Sequence, residues 1–120
     1  MKILIVDDSK AMRMIVLRTL RQAGFADHTF VEAANGQEAL TAIRSDPPGL
    51  VLSDWNMPEL SGIQLLQALR AEGQAVKFGF VTSEGTPEMR KLAQDSGAAF
   101  LITKPFTAEV FQEQLKPLVA

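Results

Sequence analysis

The chain has 120 residues, a length typical of one domain and sufficient to bury a hydrophobic core. The formal net charge is −2 and like charges form no block, so the charge pattern of a nucleic-acid-binding protein is missing. The absence of cysteine excludes disulfides, thiol catalysis and thiolate metal sites.

The N-terminal apolar run, residues 3–6, is too short for a signal peptide or a membrane span. No repeat, linker or low-complexity segment divides the chain. We therefore expect residues 1–120 to form a single domain without an output domain. We also expect a cytoplasmic monomer that contacts neither membrane nor nucleic acid.

The first half of the chain alternates apolar runs with segments of helical periodicity. The β-branched run at residues 3–6 predicts a strand, and Ser9 is expected to cap a helix that ends at Gly24. A more polar strand is expected near residues 28–32, a second helix follows it, and a third strand is expected at residues 50–53. The two helices are expected to bury Met12, Ile15, Val16, Leu20, Ala39, Leu40 and Ile43.

The second half repeats the alternation. Strands are expected at residues 76–81 and 99–103. Helix caps are expected at Ser61, at Thr86 before Pro87, and at Thr107, and glycines are expected to end the third and fourth helices near residues 73 and 97. The expected buried residues are Ile63, Leu66 and Leu69 in the third helix, a thin stripe of Met89, Leu92 and Ala93 in the fourth, and Val110, Phe111, Leu115 and the further candidate Leu118 in the last.

Five strand–helix units in so short a chain predict an α/β fold, a doubly wound parallel sheet with helices on both faces. Periodicity does not fix the strand order. The polarity of the second strand suits an edge, which makes the order 2-1-3-4-5 a candidate, with the switch point between strands 1 and 3. In that order Asp7, Asp8 and Asp54 share one crevice, flanked by Thr82 and Lys104.

Three converging carboxylates would have to be neutralised. Two charges about 4 Å apart repel by about 4 kcal/mol at an effective dielectric of about 20, so such a cluster takes up a proton or holds a cation. Oxygen ligands fit Mg²⁺, or Mn²⁺, better than Zn²⁺. A lysine ammonium and a threonine hydroxyl on the opposite rim suit a phosphate. Asp54 stands alone after the central strand and is the candidate nucleophile.

Four short motifs follow the predicted strands in order: Val6-Asp7-Asp8-Ser9, Asp54-Trp55-Asn56-Met57-Pro58 with Gly62 beyond, Val81-Thr82-Ser83-Glu84, and Lys104-Pro105-Phe106. Through them the chain resembles the response-regulator receiver domains of two-component signalling, and most of all the stand-alone CheY-type chemotaxis regulators. The resemblance covers the whole chain. It implies the flavodoxin-like (βα)5 fold with strand order 2-1-3-4-5, which CheY itself has.

The resemblance implies roles for the acidic residues. Asp54 matches the phospho-acceptor, which takes a phosphoryl group from the phosphohistidine of a histidine kinase or a phosphotransfer domain. Asp8, Asp54 and the backbone carbonyl of Asn56 match the Mg²⁺ ligands. Asp7 matches the acid that holds the metal through water.

The resemblance also implies a switch. Thr82 matches the hydroxyl that moves toward the phosphoryl group, and Lys104 matches the phosphate-binding ammonium, which precedes a usually cis Lys–Pro bond. Movement of Thr82 is expected to shift Ser83 and to alter a face made of the fourth helix, fifth strand and fifth helix, where a downstream protein binds. Asn56 and Glu84 match positions that tune the lifetime of the aspartyl phosphate. Leu101 departs from the family, in which an aromatic residue commonly stands three positions before the lysine.

These roles describe a phosphorylation-controlled switch that assists its own phosphoryl transfer and dephosphorylation, and not a turnover enzyme. The alternative is a small Mg²⁺-dependent phosphatase with an aspartate nucleophile, of the haloacid-dehalogenase type. That class has Asp-x-Asp after its first strand, where this chain has Asp7-Asp8-Ser9. A flavodoxin-like cofactor carrier is disfavoured because an acidic crevice would repel a flavin phosphate.

Overall fold

One parallel sheet of five strands organises the chain in a computed structural model, which describes residues 1–119. The strands are β1 (Lys2–Val6), β2 (Thr29–Ala33), β3 (Leu50–Ser53), β4 (Lys77–Thr82) and β5 (Phe100–Thr103). Their order is β2-β1-β3-β4-β5, so the predicted fold class and strand order are confirmed. Each predicted strand boundary is within one residue of the observed one.

Helices cover both faces of the sheet. They are α1 (Lys10–Leu20), α2 (Gly36–Ser45), α3 (Gly62–Ala71), α4 (Pro87–Asp95) and α5 (Ala108–Leu115). Apolar side chains of α2, α3 and α4 pack on one face, and those of α1 and α5 pack on the other. Because β1, β3 and β4 are covered from both sides, their sequences are almost continuously apolar.

The helix N-termini follow the predicted capping residues. The hydroxyls of Ser9, Ser61, Thr86 and Thr107 each accept a hydrogen bond from the backbone N–H three residues later. The helical run that begins with α1 breaks at Gly24, the predicted end of the first helix. Its α-helical part reaches Leu20 and a wider π-helical turn, Arg21–Phe25, follows, in which Gly24 adopts a left-handed φ of 99°.

Three side chains predicted to be buried are exposed, and one of them is Leu92 of α4, at 42%. Ile15 is 42% exposed and Val110 is 36% exposed, whereas Val16 and Phe111, which follow them, are buried. Successive residues of a helix point about 100° apart, so a helix that directs Val16 or Phe111 at the sheet turns the preceding residue to its flank. The remaining predicted core positions of α2 and α3 are buried. No helix within residues 1–119 combines the length and the apolar character that crossing a membrane requires.

Gly79 of β4 lies opposite Phe100 of β5 in the sheet register. The ring of Phe100 covers the place where a side chain on residue 79 would begin. A Cβ on Gly79 would lie 2.6 Å from Cε2 of Phe100 and closer still to two other ring carbons. Phe100 is itself buried in the core next to α1 and α5. Glycine is therefore required at this position by space.

Candidate functional site

Three carboxylates meet at the carboxyl edge of the sheet. Asp7 and Asp8 follow β1 and Asp54 follows β3, and the two strands are neighbours. The backbone N–H of Asp54 donates to the carbonyl of Val6, at 2.9 Å, which aligns the two strand ends. One carboxylate oxygen from each of the three residues lies within 4.8 Å of the others. The predicted convergence is confirmed.

Lys104, which follows β5, supplies the cation of this cluster. Its Nζ lies 3.4 Å from Oδ2 of Asp7 and 3.7 Å from Oδ1 of Asp54. The three side chains are 17%, 6% and 13% exposed, respectively, so water screens their charges weakly. One ammonium thus faces two carboxylates, while Asp8 lies more exposed at the rim. The Lys104–Pro105 bond is cis, as the resemblance implies.

Asp54 carries the electrostatic strain of the cluster. Burial raises the pKa of its carboxyl group above the ordinary value, the Lys104 ammonium opposes that rise, and the Asp7 carboxylate adds to it. The backbone N–H of Trp55 also donates to Oδ1 of Asp54, at 2.8 Å. Asp54 is thus only partly neutralised by its protein neighbours, and a further cation would stabilise its ionised form. The donor set is all oxygen, which fits Mg²⁺.

Asp7 is fixed by contacts that sequence reasoning missed. The N–H of Ser9 donates to Oδ1 of Asp7, at 2.9 Å, and Nη1 of Arg13 donates to the Asp7 carbonyl, at 2.7 Å. Arg13 also pairs with Glu32 at the end of β2. No sequence motif distinguishes Arg13 from the other basic residues of α1, because its contacts depend on which way the helix faces. These bonds orient Asp7 within the crevice.

Thr82 ends β4 at the same edge. Its side chain is fully buried, and its Oγ1 has no hydrogen-bond partner within residues 1–119. The N–H of Lys104 donates to the Thr82 carbonyl, at 2.8 Å, so the backbone connects the two predicted site residues directly. A buried hydroxyl with no partner is uncommon in native proteins and suggests a ligand that would accept a hydrogen bond from it.

The other predicted site residues lie around this centre. Asn56, Ser83 and Glu84 are exposed on the loops that follow β3 and β4, and no side-chain hydrogen bond joins them to the cluster in the described part of the chain. Leu101 is partly buried on the α4 side of the sheet, with the core of α2, α3 and α4. Gly62 packs beneath the carbonyl of Asp54, where a Cβ would collide with it, and so holds the start of α3 against the site.

Comparison with known proteins agrees with this geometry. The model of the response regulator receiver domain family matches residues 3–116. The chain is 38% identical to the chemotaxis protein CheY of Pseudomonas aeruginosa, over 98% of this chain and 95% of that protein. It is 37% identical to the chemotaxis protein CheY1 of Helicobacter pylori, over 97% and 94%.

Solved structures show the same fold. The chemotaxis response regulator CheY4 of Vibrio cholerae superposes with a TM-score of 0.84 at 32% identity, over 98% of each chain. A DNA-binding response regulator of the LuxR family from Staphylococcus aureus superposes with a TM-score of 0.86 at 21% identity, which supports the fold alone. The chain belongs to the response regulator receiver domain family and is a receiver of the CheY type.

Proposed function

We propose that this chain is a phosphorylation-controlled switch of two-component signalling in which Asp54 accepts a phosphoryl group from a phosphohistidine. The observation that carries the proposal is the meeting of three carboxylates and one buried ammonium at one edge of the sheet. CheY-type receivers are signalling switches, and the relatives from P. aeruginosa and H. pylori are named as chemotaxis proteins. A chemotaxis-like pathway in the cytoplasm is the proposed setting.

The acidic residues would hold Mg²⁺, with Mn²⁺ as a substitute. Asp8, Asp54 and the carbonyl of Asn56 are the proposed ligands, and Asp7 would hold the metal through water. When bound, the ion supplies positive charge that offsets the repulsion between carboxylates and attracts phosphate oxygens. The proposal is supported by the distances within the cluster and by the raised pKa of Asp54.

The protein side chains perform the transfer by position and charge. An oxygen of the Asp54 carboxylate attacks phosphorus, an O–P bond forms, and the N–P bond of the phosphohistidine breaks. The electron pair of the N–P bond stays on the imidazole nitrogen, and the other ring nitrogen carries a proton taken from solvent, so that the leaving group is neutral imidazole. Lys104 lies where its ammonium can neutralise the transferred group, and the Thr82 hydroxyl can donate to a phosphoryl oxygen.

An apolar groove beside the crevice supports a protein as the phosphoryl donor. Its volume is about 380 Å³, and Lys104 lines both the groove and the crevice. The other lining residues are Met12, Ile15, Pro105 and Phe106, of which Ile15 is 42% exposed. A small donor needs only the crevice, whereas a histidine-bearing domain also needs a surface on which to rest. The groove is the proposed surface for that domain.

The signal would leave through the face formed by α4, β5 and α5. Inward movement of Thr82 would carry Ser83 and Glu84 with it and disturb the start of α4. The helix α4 is weakly attached to the sheet, since Ala93 is the one residue of Pro87–Asp95 that is buried and Leu92 is 42% exposed. Asn56 and Glu84 are proposed to tune the phosphoryl lifetime. Because the chain covers 95% of its P. aeruginosa relative, residues 1–120 are proposed to act as one receiver domain.

Mass spectrometry after exposure to acetyl phosphate tests the proposed function. We expect a gain of one phosphoryl group that requires Mg²⁺, is blocked by a chelator, and maps to the peptide containing Asp54. Phosphate on Asp7 or Asp8, or incorporation that is indifferent to the metal, would contradict the proposal. Steady release of phosphate from a phosphomonoester would instead favour the phosphatase alternative.

Trp55 should report metal binding by its fluorescence. It is the only tryptophan in a chain without tyrosine. Its backbone N–H donates to Asp54, and its ring packs on that of Phe80 with 4.8 Å between the ring centroids. A divalent cation is the largest local charge in such a site. We expect MgCl₂ at fixed ionic strength to change the emission, with about tenfold weaker binding in Asp8→Asn. Asp27→Asn, an exposed control, should titrate as wild type does, and an unchanged Asp8→Asn titration would remove Asp8 from the site.

A further inference from the structure

Arg90 joins three parts of the proposed output face. It stands in α4, and its guanidinium reaches both the loop after β4 and the neighbouring strand β5. Nε donates to the carbonyl of Gly85, at 3.1 Å, and Nη1 donates to the carbonyl of Leu101, at 3.2 Å. A single planar group therefore bonds a loop residue and a strand residue from a helix.

Gly85 leaves the space that this contact needs. A Cβ on Gly85 would lie 2.9 Å from Nη2 of Arg90, 2.6 Å from Cγ2 of Thr103 and 3.3 Å from Cδ2 of Leu101. The backbone of the loop at Gly85 thus packs directly on the side chains of Arg90, Thr103 and Leu101. A shift of Gly85 therefore changes its hydrogen bond with Arg90, its packing on these β5 side chains, or both.

Arg90 is also the residue whose side chain connects α4 to the rest of the protein by hydrogen bonds. Within residues 1–119, no other side chain of α4 hydrogen-bonds to a strand or to another helix. Lys91, the adjacent cation, pairs only with Asp95 of the same helix, at 3.1 Å. The groove between α4 and β5 has a volume of about 270 Å³ and is lined by Arg90 together with small and apolar residues, including Ala93, Ala98 and Leu101. The helix is loosely packed there, which gives the Arg90 bonds more weight.

We infer that Arg90 is a positioning residue that couples the loop after β4 to α4 and β5. It would do so in a chain that has Leu101 at the position where the family commonly has an aromatic switch residue. The inference rests on the proposed function. A guanidinium is a rigid fork, so its two acceptors, the carbonyls of Gly85 and Leu101, must keep their spacing for both bonds to persist. Movement of the loop toward a phosphoryl group breaks or redirects this pair. Arg90 thereby favours the unphosphorylated arrangement, and when this arrangement is lost, the change in the Arg90 hydrogen bonds alters the position of α4.

Linkage gives the expected result. A contact made only in the unphosphorylated arrangement opposes any ligand that selects the other arrangement. Arg90→Met keeps the stem of the side chain and removes the fork, so it should bind beryllofluoride, a phosphoryl mimic, about 3- to 10-fold more tightly in the presence of Mg²⁺. Arg90→Lys keeps the charge without the fork and should behave as Arg90→Met does. On titration with beryllofluoride, the amide chemical shifts of Gly85 and Ile102 are expected to change together in the wild type and separately in both variants.

Lys91→Met is the matched control, because it removes the same charge from the same helix without touching Gly85 or Leu101. Its beryllofluoride affinity should stay within about twofold of wild type. Amide hydrogen exchange of α4 in the free proteins shows whether a variant has lost the helix. Equal affinities for Arg90→Met, Arg90→Lys and Lys91→Met would overturn the role of Arg90 while leaving the proposed function intact. Failure of the wild type to bind beryllofluoride would overturn both.

Discussion

Replacement of Asp54 by asparagine should abolish phosphoryl incorporation from acetyl phosphate, a loss of at least about 1000-fold in rate. The amide keeps the shape of the side chain but lacks the carboxylate oxygen that is proposed to attack phosphorus. The measurement is the time course of the mass gain in saturating Mg²⁺. Asp27→Asn removes an exposed carboxylate away from the crevice and should leave the rate unchanged. Incorporation into Asp54→Asn at a rate near that of wild type would show that another residue is the acceptor.

The same substitution should stabilise the metal-free protein at neutral pH. Burial raises the pKa of Asp54 in the folded state, so its ionised form is held less favourably there than in the unfolded chain. The resulting loss of stability is complete above the folded-state pKa and absent below the unfolded-state value. We expect Asp54→Asn to raise the free energy of unfolding by on the order of 1 kcal/mol at pH 7 in a chelator, after allowance for solvent screening.

Urea denaturation at several pH values tests this sign. The advantage of Asp54→Asn over wild type should shrink as the pH falls through the folded-state pKa of Asp54. Added Mg²⁺ should reverse the order at pH 7, because it should stabilise the wild type more than a variant that lacks one of the proposed ligands. An advantage that stays constant with pH would show that electrostatic strain at Asp54 is not its cause.

Gly79→Ala should destabilise the fold by about 2–3 kcal/mol, because overpacking forces a buried neighbour from its place. The new methyl group would occupy the space of the Phe100 ring, which belongs to the buried core and is 8% exposed. Denaturation in urea gives the free energy of unfolding. A loss below about 0.5 kcal/mol would mean that the ring can move aside cheaply.

A double-mutant cycle isolates the contact between these strands. Phe100→Ala alone should cost about 3–5 kcal/mol through the cavity that it leaves. The single variant Gly79→Leu completes the cycle. The double variant Gly79→Leu, Phe100→Ala refills the cavity from β4, and it should be more stable than the sum of those two single changes predicts by at least about 1 kcal/mol. Additive single changes would show that the two positions do not share one volume. The contact matters for the site because β4 carries Thr82 and β5 leads into Lys104.

The acidic centre was predictable because of how parallel strands end. Apolar runs before Asp7, Asp54 and Lys104 identify three strands, and their carboxyl ends lie at one edge whenever those strands share a parallel sheet. Prediction of the strand order needed two further observations, which were the polar character of β2 and the resemblance to receiver domains. Charge type alone then specified the chemistry of the crevice.

The supporting contacts were not predictable, since each depends on the direction of a side chain between elements far apart in sequence. Arg13 and Arg90 act through backbone carbonyls, which no residue pattern marks. From the sequence, Gly79 is a residue that weakens a strand, and only the position of the Phe100 ring shows why a glycine is needed there. The exposure of Ile15 has the same origin, because periodicity gives the apolar side of a helix but not how it turns against the sheet.

In the proposed switch, the buried hydroxyl of Thr82 would make the unphosphorylated protein a sensor of hydrogen-bond acceptors as well as of charge. A buried donor without a partner costs about 1–3 kcal/mol, so part of the driving force for the proposed transition would already be present in the unphosphorylated protein as this unfavourable free energy. A phosphoryl oxygen on Asp54 would remove this cost by accepting from the hydroxyl. An anion that enters the crevice without presenting an acceptor to Thr82 would satisfy Lys104 and still leave the loop at rest.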